Sequence, residues 1–285
     1  MSAPAPTLSP SRAGDFMTCP LLYRFRVIDR LPEPPSQAAT RGTVVHAVLE
    51  QLYDLPRGDR SLEAATALVP TVWQEVLASD EQLGELFADD DGSLATQWLD
   101  GTEALLGTYF DLEDPTRLQP ADRELKLSVE LANGLVLRGY VDRLDIAPDG
   151  AMRVVDYKTG RSPGEAFAQK AMFQMRFYAL ALWRARNEVP RLLQLLYLGD
   201  GQVMRYEPDE DDLLAMERKV MALAAAIAQA TESGDWQPRP SRLCDWCAHR
   251  ALCPAWGGSP PPLPQAPGHP DAMTGVTAEP PGVTP

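Results

Sequence analysis

The sequence predicts an α/β protein in which a mixed central sheet is flanked by helices. Strand patterns occupy the region between residues 124 and 206, as apolar residues that alternate with polar ones or as short β-branched runs. Two long helical patterns, near 164–187 and 209–232, are interspersed with these strands. Helical patterns also fill the region before them. We therefore expect a mixed α/β core, a helical N-terminal region and a C-terminal cysteine segment.

The N-terminal region begins with a helix signal. Ser9-Pro10 is typical of a helix start, because Ser caps the first turn and Pro is tolerated within it. Helical periodicity returns from Leu21 to Ile28, and the prolines at 32, 34 and 35 indicate a linker. Gly42 is predicted to open a further helix that carries His46.

Two more helices and an acidic loop complete this region. The helices are predicted near 61–78 and 94–111, and the loop consists of residues 89–92. The whole stretch 51–114 contains 15 acidic residues but only two arginines. It therefore accounts for almost all of the net charge of −14, and we expect it to be an acidic helical insert.

The hydrophobic period changes at Glu124, which begins the first predicted strand. Leu125, Leu127 and Val129 alternate with polar residues, and Asn133-Gly134 is a strong hairpin signal. The later strands are predicted near 135–147, 151–158, 191–199 and 202–206.

Composition sets the expected boundaries of the folded part. Residues 1–8 are rich in Pro and Ala and are predicted to be flexible, and residues 257–285 are predicted to be a disordered Pro/Gly-rich tail. One domain is expected over 9–256, with the cysteine segment at 241–256. No apolar run approaches the roughly 20 residues of a membrane span, and no signal-peptide pattern is visible. The expected location is cytoplasmic, without a membrane partner.

Outside the insert the chain is nearly neutral, so local basic patches could meet a phosphate backbone despite the negative total charge. One group of basic residues precedes the insert and a second surrounds two predicted strands. These residues are Arg24, Arg26, Arg30 and Arg41, and then Arg138, Arg143, Lys158, Arg161, Lys170 and Arg176.

The two central strands carry the residues with the clearest chemistry. Gly139-Tyr-Val-Asp142-Arg is followed by Val154-Val-Asp156-Tyr-Lys158-Thr-Gly, and alternation places Asp156 and Lys158 on one side of their strand. Buried charges are costly unless they pair or bind a metal. Two carboxylates can hold Mg²⁺ or Mn²⁺, and a lysine beside them can orient the water that hydrolyses a phosphodiester. A salt-bridged surface hairpin is the alternative.

Other residues become candidates only in combination with this pair. His46 could be a third metal ligand, since imidazole suits Mn²⁺, although a lone His is usually a surface or core residue. Glu124 could add a carboxylate or be an exposed strand end. Gln174 and Tyr178 share a helix face, and could overhang the sheet edge or form a half-buried pair.

The four cysteines have metal-ligand spacing. Cys244, Cys247 and Cys253 form Cys-x2-Cys-x5-Cys, and Cys19 lies at the other end of the chain. Four thiolates fit either tetrahedral zinc or an iron–sulfur cluster, and such spacing in a cytosolic protein favours a metal site over disulfides. The spacing favours the cluster but leaves zinc open. In either case we expect the site to join the N-terminal helix to the C-terminal segment.

Together these motifs resemble the RecB-family branch of the PD-(D/E)XK nuclease superfamily, and more narrowly the iron–sulfur nucleases of AddB type and CRISPR-adaptation type. The resemblance runs from Leu8 to Trp256. Its motifs are Cys19-Pro-Leu-Leu-Tyr-Arg-Phe, Arg41-Gly-Thr-Val-Val-His46, Gly139-Tyr-Val-Asp142-Arg-Leu-Asp, Val155-Asp156-Tyr-Lys158-Thr-Gly, Gln174-Met-Arg-Phe-Tyr178 and the cysteine tail.

The resemblance implies a restriction-endonuclease-like core and a role for each motif residue. His46, Asp142, Asp156 and the main-chain carbonyl of Tyr157 would bind the catalytic Mg²⁺ or Mn²⁺, and Lys158 would be the catalytic lysine. The supporting active-site residues would be Gln174, Tyr178 and Glu124. The ligands of a 4Fe–4S cluster would be Cys19, Cys244, Cys247 and Cys253.

The function implied is a DNA exonuclease in repair or recombination. The alternatives are a single-strand or flap endonuclease of the same fold and a catalytically silent DNA-binding module of a repair complex. The sequence has no G-x-x-x-x-G-K-[ST] loop, so the expected partners are DNA, as single strands or ends, and a helicase or repair protein.

Overall fold

The computed structural model of the chain describes residues 6–80, 82–87 and 93–264, without the side chains of 93 and 165–170. Residues 1–5 of the predicted flexible N-terminus, the acidic loop predicted at 89–92 and residues 265–285 of the predicted tail lie outside the described residues. Within them the fold is mixed α/β, with a central mixed sheet between layers of helices, as the sequence predicts.

The sheet has six strands in the order β1-β3-β4-β5-β6, and β2 also pairs with β3. The strands are β1 (Thr7–Leu8), β2 (Asp122–Glu130), β3 (Val136–Ile146), β4 (Met152–Lys158), β5 (Leu192–Tyr197) and β6 (Gln202–Tyr206). The β2–β3 turn contains Gly134 at φ 82°, a backbone conformation that favours glycine, and the predicted Asn-Gly hairpin is therefore confirmed.

The central strand β3 has one fully paired edge and one interrupted edge. β2 runs antiparallel along the first edge, from Asp122 opposite Leu144 to Glu130 opposite Val136. On the other edge β1 pairs only with residues 136–137, and β4 pairs only with residues 143–146. In the described pairings, residues 138–142 therefore have no strand partner on this side. We call this stretch the open edge of β3.

Helices cover both faces of the sheet. Their bounds are α1 (Pro10–Thr18), α2 (Pro20–Tyr23), α3 (Gln37–Leu52), α4 (Leu62–Ser79), α5 (Gln82–Glu85), α6 (Ser93–Leu112), α7 (Glu165–Arg186) and α8 (Glu210–Ser233). A π-helical turn at Arg24–Ile28 continues α2. Helix α7 links the parallel strands β4 and β5, a connection that such strands require.

Each sheet face has its own hydrophobic core. Residues of α7 and α8 pack with β2, β3 and one side of β4 and β5. Residues of α3, α4 and α6 pack on the opposite side, where Val155 and Tyr157 of β4 meet Leu196 of β5. Strands β4 and β5 are thus buried on both faces, which explains their nearly continuous apolar sequences.

A third, smaller core joins the two ends of the described chain. Tyr23 stacks on Trp236 with ring centroids 5.8 Å apart, and Cys19 and Cys253 lie at the margin of this core. Residues 257–264, which the sequence assigns to the tail, continue along this region, where Arg24 donates a hydrogen bond to the Pro261 carbonyl. No helix in the described part of the chain is long and apolar enough to cross a membrane.

The prediction that Gly42 opens a helix is wrong. Helix α3 begins at Gln37, where Ser36 caps it by accepting a hydrogen bond from the Ala39 amide at 3.2 Å. Gly42 lies inside the helix, because the cap and the buried face of α3 outweigh the cost of one glycine.

Candidate active site

Strands β3 and β4 separate where the two predicted aspartates lie. Their pairing ends at Arg143 opposite Val155, so that Asp142 and Asp156 are the next residues after the last pair. Beyond this point the Tyr157 amide donates its hydrogen bond to the Asp142 carboxylate, at 2.8 Å. A side chain thus satisfies an amide that a neighbouring strand would normally satisfy. The separation leaves both carboxylates at one end of the open edge of β3.

Gln174 joins the acidic and basic residues of β4. Its amide nitrogen donates to Asp156 Oδ1 at 2.8 Å, and its amide oxygen accepts from Lys158 Nζ at 3.0 Å. The same amide nitrogen lies 3.1 Å from Tyr178 Oη, one turn further along α7. The structure therefore brings together four of the predicted site residues, because α7 passes directly over the end of β4.

The two carboxylate oxygens of Asp156 have different partners. The side chain is almost fully buried, with Oδ1 accepting a hydrogen bond from Gln174 and Oδ2 forming a 2.6 Å ion pair with Lys158 Nζ. Buried polar atoms are nearly always hydrogen-bonded or bound to an ion. The Lys158 ammonium therefore compensates this buried charge, and a metal ion bound by Asp156 would share the carboxylate with Lys158.

His46 faces the main chain of β4 from α3. Its Nε2 lies 2.9 Å from the Tyr157 carbonyl oxygen, and its Nδ1 lies 3.5 Å from Asp142 Oδ2 and 4.0 Å from Glu124 Oε1. Burial lowers the pKa of His46, which favours the neutral imidazole that can ligate a metal. His46, Glu124 and Asp142 offer ligand atoms that all lie within 4.8 Å of one another.

Glu124 reaches the site through an unusual backbone conformation. Its φ of 45° lies in the left-handed region, which is strained for a residue with a side chain. The pairs Arg123–Arg143 and Leu125–Val141 flank it, so that Glu124 lies across from Asp142. Strain of this kind concentrates at functional sites.

The carboxylates of the site repel one another. Burial, followed by the charge of Asp156, raises the pKa of Asp142 well above its ordinary value. Burial also raises the pKa of Glu124, with contributions from Glu50 and Asp156. Each shift shows that the ionised form is disfavoured in the metal-free protein, and a bound cation would reverse this preference.

These donors fit a hard divalent cation. Mg²⁺ prefers oxygen ligands in an octahedron with bonds of about 2.0–2.1 Å, so neighbouring ligands lie about 2.9 Å apart. His46 Nε2 donates a hydrogen bond to the Tyr157 carbonyl oxygen at 2.9 Å, which leaves Nδ1, the nitrogen that faces Asp142 and Glu124, as the ligand atom. Carboxylates and a carbonyl suit Mg²⁺ and Mn²⁺, and the imidazole favours Mn²⁺.

Gly139 permits the close approach of α7 to β3. A Cβ atom at this position would lie 2.6 Å from Cε1 of Tyr178, too close for any ordinary contact. The glycine of the Gly-x-x-Asp motif therefore gives Tyr178 room beside the open edge.

A cavity of about 590 Å³ lies along the open edge of β3, and we call it the β3 groove. Strand β3, the N-terminal segment with α1, and α7 form its walls. Arg12, Arg138 and Tyr140 line it together with Asp142 and the active-site residues of α7. Arg12 and Tyr140 are not among the predicted site residues, although the i, i+2, i+4 spacing of Arg138, Tyr140 and Asp142 places these three side chains on one face of β3.

The suggestion that Arg143 could meet a phosphate backbone is wrong. Its side chain is fully buried and bonded to Glu113, Asp145 and tyrosine hydroxyls. Arg138, five residues earlier, is exposed. The side chain of Lys170 lies outside the described residues.

The four cysteines face one small cavity but their sulfurs stand apart. All four line a cavity of about 50 Å³ between α1, α2 and the C-terminal segment. Burial raises the pKa of Cys247, and the neighbouring Cys244, Cys19 and Cys253 add to the shift. Among the described residues, no three of these sulfurs lie within 4.8 Å of one another.

The fold and this site define a nuclease, and the family comparison agrees. The model of the PD-(D/E)XK nuclease superfamily matches residues 7–254, and the chain belongs to this superfamily. Members of this superfamily cleave nucleic acid with divalent metals, and the His46, Glu124 and Asp142 group is a suitable binding site for one.

The chain is also similar to two phage proteins and to one solved structure. It is 26% identical to the Gene 69 protein of Mycobacterium phage L5, over 88% of this chain and 97% of that protein. It is 26% identical to the Gene 69 protein of Mycobacterium phage D29, over 62% of this chain and 69% of that protein. The "putative exonuclease" of Eubacterium rectale superposes with a TM-score of 0.58 at 14% identity, over 85% and 87% of the two chains, which supports the fold.

Proposed function

We propose that the protein is a metal-dependent deoxyribonuclease of the RecB type that degrades DNA strands from their ends. The observation that carries this proposal is the bridge that Gln174 makes between Asp156 and Lys158, at the point where the separation of β3 and β4 also exposes Asp142 to His46. A salt-bridged surface hairpin has no need to bury the Asp156 carboxylate almost completely and to divide it between Gln174 and Lys158.

Each site residue has a defined task in this proposal. His46, Asp142, Asp156 and the Tyr157 carbonyl hold Mg²⁺ or Mn²⁺, which when bound makes water a stronger nucleophile and neutralises phosphate charge. Glu124 adds a carboxylate beside Asp142. Lys158 is held in place by Asp156 and Gln174, and its side chain remains about one third exposed. Its ammonium group donates a hydrogen bond to the attacking water or to the phosphate oxygen that gains charge.

The β3 groove provides a path for one DNA strand. Exposed Arg12 and Arg138 supply positive charge, and Tyr140, 53% exposed, presents an aromatic ring. Basic side chains interspersed with aromatic rings suit unpaired strands, because phosphates pair with the former and bases stack on the latter. A duplex would first have to be opened, and we infer that a helicase or repair partner supplies the strand.

The test is cleavage of labelled DNA by the purified chain. End-labelled linear single strands and internally labelled circular single strands are incubated with Mn²⁺ or Mg²⁺, beside Asp156→Asn. We expect metal-dependent shortening of the linear strand and none with Asp156→Asn. Cutting of the circle would show that the protein is an endonuclease and not an exonuclease. Binding of DNA without any cleavage would favour the silent DNA-binding module.

Tyr140→Ala is expected to weaken single-strand binding by about 1–3 kcal/mol, the usual range for one lost base–aromatic stack. Tyr140→Phe keeps the ring and should bind within about twofold of wild type. The measurement is fluorescence anisotropy with a labelled single strand in EDTA. Equal affinity of the alanine variant and wild type would show that the strand does not use this wall of the groove.

We further propose that Cys19, Cys244, Cys247 and Cys253 hold a 4Fe–4S cluster with a structural role. Their approach to one cavity supports a shared metal site. Tetrahedral zinc with bonds of about 2.3 Å requires sulfurs about 3.8 Å apart. No three of the described sulfurs come this close, and it is the two Cys-Pro pairs that favour a cluster.

A further inference from the structure

A buried polar cluster lies directly behind the active site, and its main residue is Arg143. The side chain of Arg143 has no solvent exposure. Its two terminal nitrogens donate to the two oxygens of Glu113, at 2.8 and 3.0 Å, and its Nε donates to Asp145 at 3.2 Å. This charge is fully compensated, as a buried guanidinium requires.

Three tyrosine hydroxyls surround the same nitrogen of Arg143. Nη1 lies 2.8 Å from Tyr157 Oη, 3.1 Å from Tyr53 Oη and 3.5 Å from Tyr109 Oη. The hydroxyls of Tyr53 and Tyr109 are themselves 2.5 Å apart. Burial raises the pKa of all three tyrosines, so each hydroxyl keeps its proton and its fixed place in the cluster.

Half of this cluster comes from the acidic helical insert at 51–114. Tyr53 immediately follows α3, Tyr109 lies in α6 and Glu113 follows α6. Arg143, Asp145 and Tyr157 belong to the sheet. The insert has no catalytic motif of its own, and these buried hydrogen bonds join it to the central strands in addition to the apolar contacts of α4 and α6.

Tyr157 connects the cluster to the active site through its main chain. Its amide donates to Asp142, its carbonyl oxygen lies 2.9 Å from His46 Nε2, and its neighbours in the chain are Asp156 and Lys158. Its ring packs edge-on against His46 and against Tyr109. The hydroxyl end of Tyr157 is therefore held in the cluster while its main chain contacts both His46 and Asp142.

We propose that Arg143 is a positioning residue for the metal site: it fixes the Tyr157 hydroxyl, and thereby the Tyr157 peptide between His46 and Asp142. The acidic insert supplies Glu113, whose two carboxylate oxygens accept from both terminal nitrogens of Arg143 and hold it in place. The insert is thus a support for the metal ligands. This inference rests on the proposed metal-dependent cleavage, but its primary measurement is metal binding.

Tyr157→Phe tests the proposal without opening a cavity. It removes one hydroxyl and leaves the ring and the peptide, while Arg143 keeps its bonds to Glu113 and Asp145. Groups that orient metal ligands typically contribute 10–100-fold to metal affinity. We expect Tyr157→Phe to weaken Mn²⁺ binding about tenfold, measured by calorimetry without DNA. In cleavage assays the Mn²⁺ concentration for half-maximal rate should rise equally, with KM for DNA unchanged.

Tyr53→Phe is the matched control. It removes a hydroxyl from the same Arg143 nitrogen, but its described hydrogen bonds do not reach the active site. We expect similar melting temperatures for the two variants and less than twofold change in Mn²⁺ affinity for Tyr53→Phe. Wild-type Mn²⁺ affinity in Tyr157→Phe, or equal losses in both variants, would overturn the proposal. Mn²⁺ binding by wild type without cleavage would instead contradict the proposed function.

Discussion

Lys158→Met is expected to slow single-turnover cleavage by at least about a hundredfold, with single-strand affinity within about twofold of wild type. The ammonium group is one of the few positive charges that face the site, and Asp156 and Gln174 fix its position. Methionine retains the length of the side chain but cannot donate a hydrogen bond. The rate is measured at saturating DNA and Mn²⁺, because changes in DNA or metal affinity then do not alter the observed rate.

Two controls separate catalysis from stability in this experiment. Lys126→Met removes an exposed lysine on β2 and should leave the rate unchanged. Removing the partner of a buried carboxylate also destabilises proteins, so melting temperatures of both variants are compared. A Lys158→Met enzyme that cleaves at the wild-type rate would reduce Lys158 to a structural ion-pair partner of Asp156.

The sheet was predictable because its signals are local. Alternation identifies β2, the Asn-Gly turn fixes the β2–β3 hairpin, and the strands and long helices begin and end within a few residues of the prediction. The two-residue strand β1 was missed, since two residues carry no periodicity. This omission concealed the β3 groove, because the groove exists only where β1 and β4 leave β3 unpaired.

The positions of the central candidate site residues were predictable for the same reason. Asp142, Asp156 and Lys158 lie on strands that the sequence identifies, and their catalytic roles stay predictions. The position of Glu124 depends on a φ of 45° that no sequence pattern indicates. Arg143 was misjudged because residues 30 to 90 positions away, in the insert, decide that it is buried.

The second large effect, a loss of bound metal and of stability, is expected when one of the four cysteines is replaced. Cys247→Ser should remove the brown absorption and the bound iron and sulfide of anaerobically purified protein, and should lower the melting temperature by at least about 10 °C. Structural metal sites contribute directly to folding free energy, and a loss of several kcal/mol produces such a shift in a domain of this size. Trp246→Phe changes a side chain that is 79% exposed between two of the cysteines, and should retain both the iron and the stability.

The position of the cysteine cavity predicts which other properties should change in Cys247→Ser. Cys19 follows α1, which forms one wall of the β3 groove, and the Arg239 amide donates to Cys19 Sγ at 3.3 Å. Loss of the cluster should therefore release residues 241–264 to limited proteolysis and weaken strand binding, while Tyr23 and Trp236 keep the smaller core partly packed. One equivalent of zinc without iron would assign the site to zinc. An unchanged melting curve after complete iron removal would contradict the structural role, because a group that joins both ends of a domain must stabilise it.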